Sequence, residues 1–80
     1  MNIGAAVKER IIVLCKEKNI TINKLGTLSG VTQSTINNLI SGRNHSTTIT
    51  TIKKLCDGLG ISIFDFFNSK LFEDLDQEIK

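Results

Sequence analysis

Two short helical patterns meet at Ser29-Gly30-Val31 with no loop between them, and this junction restricts the fold more than any other feature. Residues 21–39 read TINKLGTLSGVTQSTINNL. So abrupt a reversal needs one residue in the left-handed backbone region, which Gly30 enters without a Cβ penalty. Thr32 follows as a cap-like residue and opens the second pattern. Gly26 leaves room for two helices to cross closely, where a larger side chain would hold them apart. Leu25, Leu28, Val31, Ile36 and Leu39 can all face the junction. Gln33, Ser34, Thr35, Asn37 and Asn38 remain on the other side of the second helix. An uncharged, amide-rich face on a short helix suits hydrogen bonding to DNA base edges. On a random helix the same residues would merely keep the surface soluble. Here the preceding turn favours a helix-turn-helix over 21–41 that reads DNA.

The other periodic signals are also helical. Val7, Ile11, Leu14 and Cys15 recur at spacings of about four and three, placing a first helix at about 3–17 with Asn19 as a left-handed stop. Ile12 and Val13 widen its apolar stripe. Thr21 caps a second helix at about 22–28, and the third spans about 33–41 and stops at Gly42. Thr48 caps a fourth at about 49–59, with Ile49, Ile52, Leu55, Cys56 and Leu59 on one face and Gly60 as its breaker. Ser62 and Asp65 form a capping-box-like pair at the start of a fifth, which holds Ile63, Phe66 and Phe67. A sixth helix is expected beyond it, with Leu71, Phe72, Leu75 and Ile79 sharing a face. No run of alternating β-branched residues competes. The fold class expected is all-α: five helices in one bundle plus a short sixth. The DNA-binding domain is placed at 1–68 and a C-terminal helical extension at 69–80.

Composition narrows the function. Forty per cent hydrophobic residues with 22% charge describe a folded globule and not a disordered chain. The longest apolar stretch, Ile11 to Leu14, cannot span a membrane, and the N-terminus lacks the pattern of a secretory signal. A cytoplasmic location is the expectation. Cys15 and Cys56 lie inside helical patterns and read as small apolar core residues; with His45 the only histidine, no zinc-ligand set exists in the sequence. No nucleophile has a positioned base and no glycine-rich phosphate loop is present, so no enzyme, metal, cofactor or small-molecule ligand is expected.

The net charge of +2 conceals an asymmetry. Residues 1–60 carry eight Lys/Arg against three acids, whereas residues 61–80 carry two Lys against five acids. A basic body suits phosphate contact and an acidic tail would keep clear of it. Taken alone, this pattern would be read as ordinary surface solvation.

The motif GVTQSTINNLISG, followed by TITTIKKLCDGLGIS, resembles the Cro/CI-type helix-turn-helix of phage repressors and the related xenobiotic-response-element regulators, over roughly residues 8–67. The resemblance implies a five-helix bundle that binds double-stranded operator DNA, usually as a symmetric homodimer. By position it implies base contacts from Gln33, Ser34, Thr35 and Asn38. Backbone contacts would come from Thr21, Asn23 and Lys24 at the second helix, from Asn37 at the edge of the reading face, and from Arg43, Asn44 and His45 in the following loop. Lys53 and Lys54 fit either a backbone contact or a solvated face. Three departures stand out. Many members have glutamine at the start of the second helix, bonding phosphate or supporting the recognition residue; here Ile22 stands there, which leaves that role to the backbone N–H. Cys15 replaces a common arginine, and Ser29 replaces an apolar residue for which Leu28 would cover.

The tail leaves two readings open. Phe66, Phe67, Leu71, Phe72, Leu75 and Ile79 either pack on their own bundle or meet a second copy of the chain. The functional expectation is a sequence-specific transcriptional regulator, a repressor in particular. The alternative is a protein-interaction or antitoxin-like module that uses the same bundle as a docking surface.

Overall fold

Capping side chains set where the helices begin. A computed structural model of the chain describes residues 1–41 and 47–79. Helix α1 spans Ile3–Lys18, α2 Ile22–Ser29, α3 Gln33–Ser41, α4 Ile49–Leu59 and α5 Ile63–Phe67. Asn2, Thr21, Thr48 and Ser62 each accept a hydrogen bond from the backbone N–H three residues on, satisfying a first-turn donor. The Ser62–Asp65 pair forms a complete capping box. Asn19, Gly30 and Gly60 end α1, α2 and α4 in the left-handed conformation, with φ of 57°, 67° and 72°. Gly42, the expected stop of α3, lies outside the described residues.

The apolar stripes converge on one core. Ile11, Leu25, Ile36, Leu55, Cys56 and Phe66 are its largest fully buried side chains, with Val7, Leu14, Cys15, Leu39, Ile52 and Leu59 around them. Both cysteines are free and buried, and burial pushes their thiols up from the ordinary range. Phe66 stacks edge-on with Phe67 at 5.0 Å between ring centroids, and Phe67 with Phe72 at 4.9 Å. Arg10 ties α1 to α5: its Nε donates to Phe66 O at 2.7 Å and a terminal nitrogen to Asp65 O at 2.8 Å. The guanidinium thereby satisfies carbonyls at the end of a five-residue helix that could not stand alone.

The expected sixth helix is not formed. Lys70–Phe72 make a single 3₁₀ turn capped by Ser69, and residues 73–79 continue without a helix. The segment is acidic at Glu73, Asp74, Asp76 and Glu78, so one helical surface would crowd like charges. The tail is instead pinned to the chain start, where Asp76 N donates to Met1 O at 3.0 Å and its carboxylate faces the N-terminal ammonium at 3.9 Å. Phe66 is fully buried, and Phe67 and Phe72 pack half-buried against the same core. Ile79 stays outside at 84% exposure.

Candidate nucleic-acid interface

Helices α2 and α3 cross at Gly26. A Cβ added there would stand 3.0 Å from Ile36 Cγ1 and 3.4 Å from Val31 O, so the absence of a side chain is what lets α3 sit this close. Leu25, Ile36 and Leu39 fill the junction, and Val31 packs at its edge. Leu28 does not join them; it is half exposed and cannot cover for Ser29. Ser29 instead turns inward against Gly58 of α4, with its Oγ buried and unpartnered among the described residues. The short α2 puts Leu28 on the outer side of the turn, because its inner side is already taken by Leu25 and Ser29.

The opposite face of α3 is open to solvent. Gln33, Ser34, Asn37 and Asn38 are exposed, and none carries a charge. Ser34 and Asn38 are four residues apart and share one stripe, as do Gln33 and Asn37. Thr35 is half buried and held by the cap: its N–H donates to Thr32 Oγ1 at 3.2 Å, and the Thr32 hydroxyl donates to Thr35 Oγ1 at 3.0 Å. Its side chain is therefore less free to reach a base than its neighbours.

Gln33 is held from two sides. Its Nε2 donates to Asn23 Oδ1 at 2.8 Å and to Asn37 Oδ1 at 3.1 Å. The support that Ile22 cannot provide thus comes from Asn23, one position later on α2, and not from a backbone N–H. Composition and motif position gave no hint of this link, although the four-residue spacing of Gln33 and Asn37 was a signal for the second bond. Among the described residues Asn23 Nδ2 donates to no protein acceptor.

Around this face, Thr21 and Lys24 are exposed at the start of α2, where Lys24 N–H donates to Thr21 Oγ1 at 3.0 Å. The remaining first-turn amides at that tip can face an anion. Lys53 pairs with Asp57 four residues on, so part of its charge is already met on its own helix. Arg43, Asn44 and His45 lie outside the described residues. The tail residues Leu71 and Leu75 are half buried.

A crossed helix pair that presents an uncharged hydrogen-bonding stripe is a geometry made to enter a groove, and comparison with known proteins agrees. The family of Cro/C1-type HTH DNA-binding domains matches residues 10–70. The chain is similar to the prophage Lp1 protein 11, whose crystal structure shares 42% sequence identity and a TM-score of 0.82, covering 94% of this chain and all of the other. No curated protein matches significantly. Among the described residues no helix is long and apolar enough to cross a membrane. With the motif at 21–41 framed by the bundle that positions it, the chain belongs to the Cro/C1-type helix-turn-helix DNA-binding family.

Proposed function

We propose that the protein is a sequence-specific transcriptional regulator that represses by occupying an operator, acting in the cytoplasm without enzymatic chemistry. The observation that carries this reading is the exposed stripe of α3, neutral and rich in hydrogen-bonding groups, fixed against α2 by the Gly26–Ile36 contact. Gln33, Ser34 and Asn38 are its base-reading side chains, with Thr35 in a lesser part near the cap. Thr21, Asn23 and Lys24 serve the phosphate backbone beside it, together with Arg43, Asn44 and His45, which follow α3 in the sequence.

The regulator acts as a homodimer on a palindromic site, two recognition helices standing ~34 Å apart. Phe66 is taken by its own core, so the apolar side chains left for a partner copy include Ile79 and Phe64, the latter 75% exposed. The test is a gel shift on the DNA flanking the gene, repeated across salt concentrations. Tight binding to a palindrome, weakening steeply with salt, supports the reading. Equal, weak binding to any DNA would overturn it in favour of the docking module.

A further inference from the structure

Among the described residues the most exposed large apolar side chain stands beside an apolar groove. Ile79 is 84% exposed. Its neighbour Glu78 lines the rim of an open cavity of about 280 Å³, walled by Ile3 and Val7 of α1, Ile49 and Ile52 of α4 and Phe67 of α5. Ile49 is itself 63% exposed there. The chain's own tail is not set to cover this groove. Asp76 N–H is held by Met1 O at 3.0 Å, which fixes the run two residues before Glu78. Bringing Ile79 back over Val7 and Ile52 would need a reversal within Gln77-Glu78-Ile79, which has no glycine, proline or asparagine to make it.

We infer that the groove takes Ile79 of a second copy, the two chains exchanging their tails about a two-fold axis, a contact that rests on and specifies the homodimer proposed above. Knob and groove lie side by side on one chain. A two-fold rotation that lays one tail over the other copy's groove therefore does the same in return, as an isologous interface requires. Charge complements shape. The tail carries Glu73, Asp74, Asp76 and Glu78, whereas α1 has no acid before Glu9 and α4 none before Asp57. Lys8, one turn beyond Gly4, and Lys53, one turn beyond Ile49, flank the groove on its two walls, although Lys53 shares its charge with Asp57. The exchange covers little surface. Two isoleucines and two small grooves come to roughly a few hundred Å², against the ~1,200 Å² at which stable interfaces begin. The dimer is therefore weak alone and strengthens on the operator, where DNA holds two copies at high effective concentration.

The test mixes two full-length single variants, Ile49→Cys and Ile79→Cys, at high concentration without DNA and oxidises them with diamide. The native Cys15 and Cys56 are buried, so the parent should form no cross-link. The expected product is the mixed disulfide between position 49 of one copy and position 79 of the other, exceeding both like-with-like dimers together. A mixed product no more abundant than chance pairing gives would overturn the exchange. The double variant Ile49→Cys/Ile79→Cys, oxidised in dilute solution, should stay open; closure within one chain would seat the tail on its own groove and overturn it as well. Ile79→Ser is expected to bind the full palindrome about tenfold more weakly, with half-site affinity and Tm unchanged. Undiminished binding to the palindrome would contradict the contact. The cross-link needs no DNA, so the two proposals fail separately. A mixed disulfide in a protein without preference among duplexes brings down the DNA-reading proposal alone. A selective protein that forms no mixed disulfide brings down the tail exchange alone.

Discussion

Gly58 of α4 and Ser29 of α2 meet so closely that a Cβ on Gly58 would stand 2.1 Å from Ser29 Oγ and 3.1 Å from the Ser29 backbone nitrogen. The helix-turn-helix is therefore seated on the bundle through a contact that tolerates no side chain on one partner. Gly58→Ala gains about 1 kcal/mol of helix propensity but meets overpacking of about 1–3 kcal/mol. The expected result is a net loss of about 1 kcal/mol, or about 4–8 °C in Tm for a domain of this size. Ser29→Gly should relieve part of that loss in the double variant, a coupling that a thermal-melt double-mutant cycle would measure.

Ser29→Ala should move stability the other way. The Ser29 hydroxyl is buried without a partner among the described residues, and an unpaired buried polar group costs about 1–3 kcal/mol. Removing it should leave the protein as stable as the parent or slightly more so. Urea titration checks this, and a clear loss would mean the hydroxyl has a role the packing does not reveal.

Most of the architecture was legible because local chemistry and the wider fold agree. Thr21, Thr48 and Ser62 cap where their sequence positions implied, and Asn19, Gly30 and Gly60 stop their helices. The tail misled because Leu71, Phe72, Leu75 and Ile79 fit a helical spacing, while the acids between them and the pull of the Phe66–Phe67–Phe72 cluster favour a turn. Periodicity records only apolar spacing, so Arg10 reaching α5 across the bundle could not be read from it. For the same reason the face of α3 was legible but the clamp on Gln33 was not: one of its partners lies ten residues away on another helix.

Arg10→Met should uncouple the short α5 from α1. The change keeps the apolar stem and removes two charge-assisted hydrogen bonds to backbone carbonyls. Because the site is only partly buried, the expected loss is about 1–2 kcal/mol by urea denaturation, with no change in the DNA sequence preferred. A shift in sequence preference would place Arg10 nearer the DNA than the bundle allows.

The cysteines set a limit at alkaline pH. Burial raises both thiols above their ordinary range, and for Cys56 the neighbouring Asp57 charge pushes the same way. A folded-state pKa above the unfolded value means that stability is fully present below about pH 8.5 and is lost as pH rises through the folded value. Thiol reagents should react slowly with the native protein and rapidly in denaturant. Cys15→Ala should flatten part of the alkaline decline, as denaturation midpoints across pH would show.

Phe64→Ser tests the homodimer. With 75% of the side chain already exposed, stability should change little. Affinity for a full palindrome should fall, while affinity for an isolated half-site stays the same. Equal affinities for the palindrome in parent and variant would move the dimer contact away from α5.

The central claim is that α3 reads DNA sequence through its neutral stripe. Selection of bound duplexes from a random pool, carried out in parallel with the parent and Gln33→Ala, tests it most directly. The expected outcome is a palindromic consensus with half-sites about one helical turn apart, in which Gln33→Ala relaxes one position per half-site by about 1–3 kcal/mol without changing Tm. A pool that remains random with the parent protein, or an identical consensus from both proteins, would contradict it.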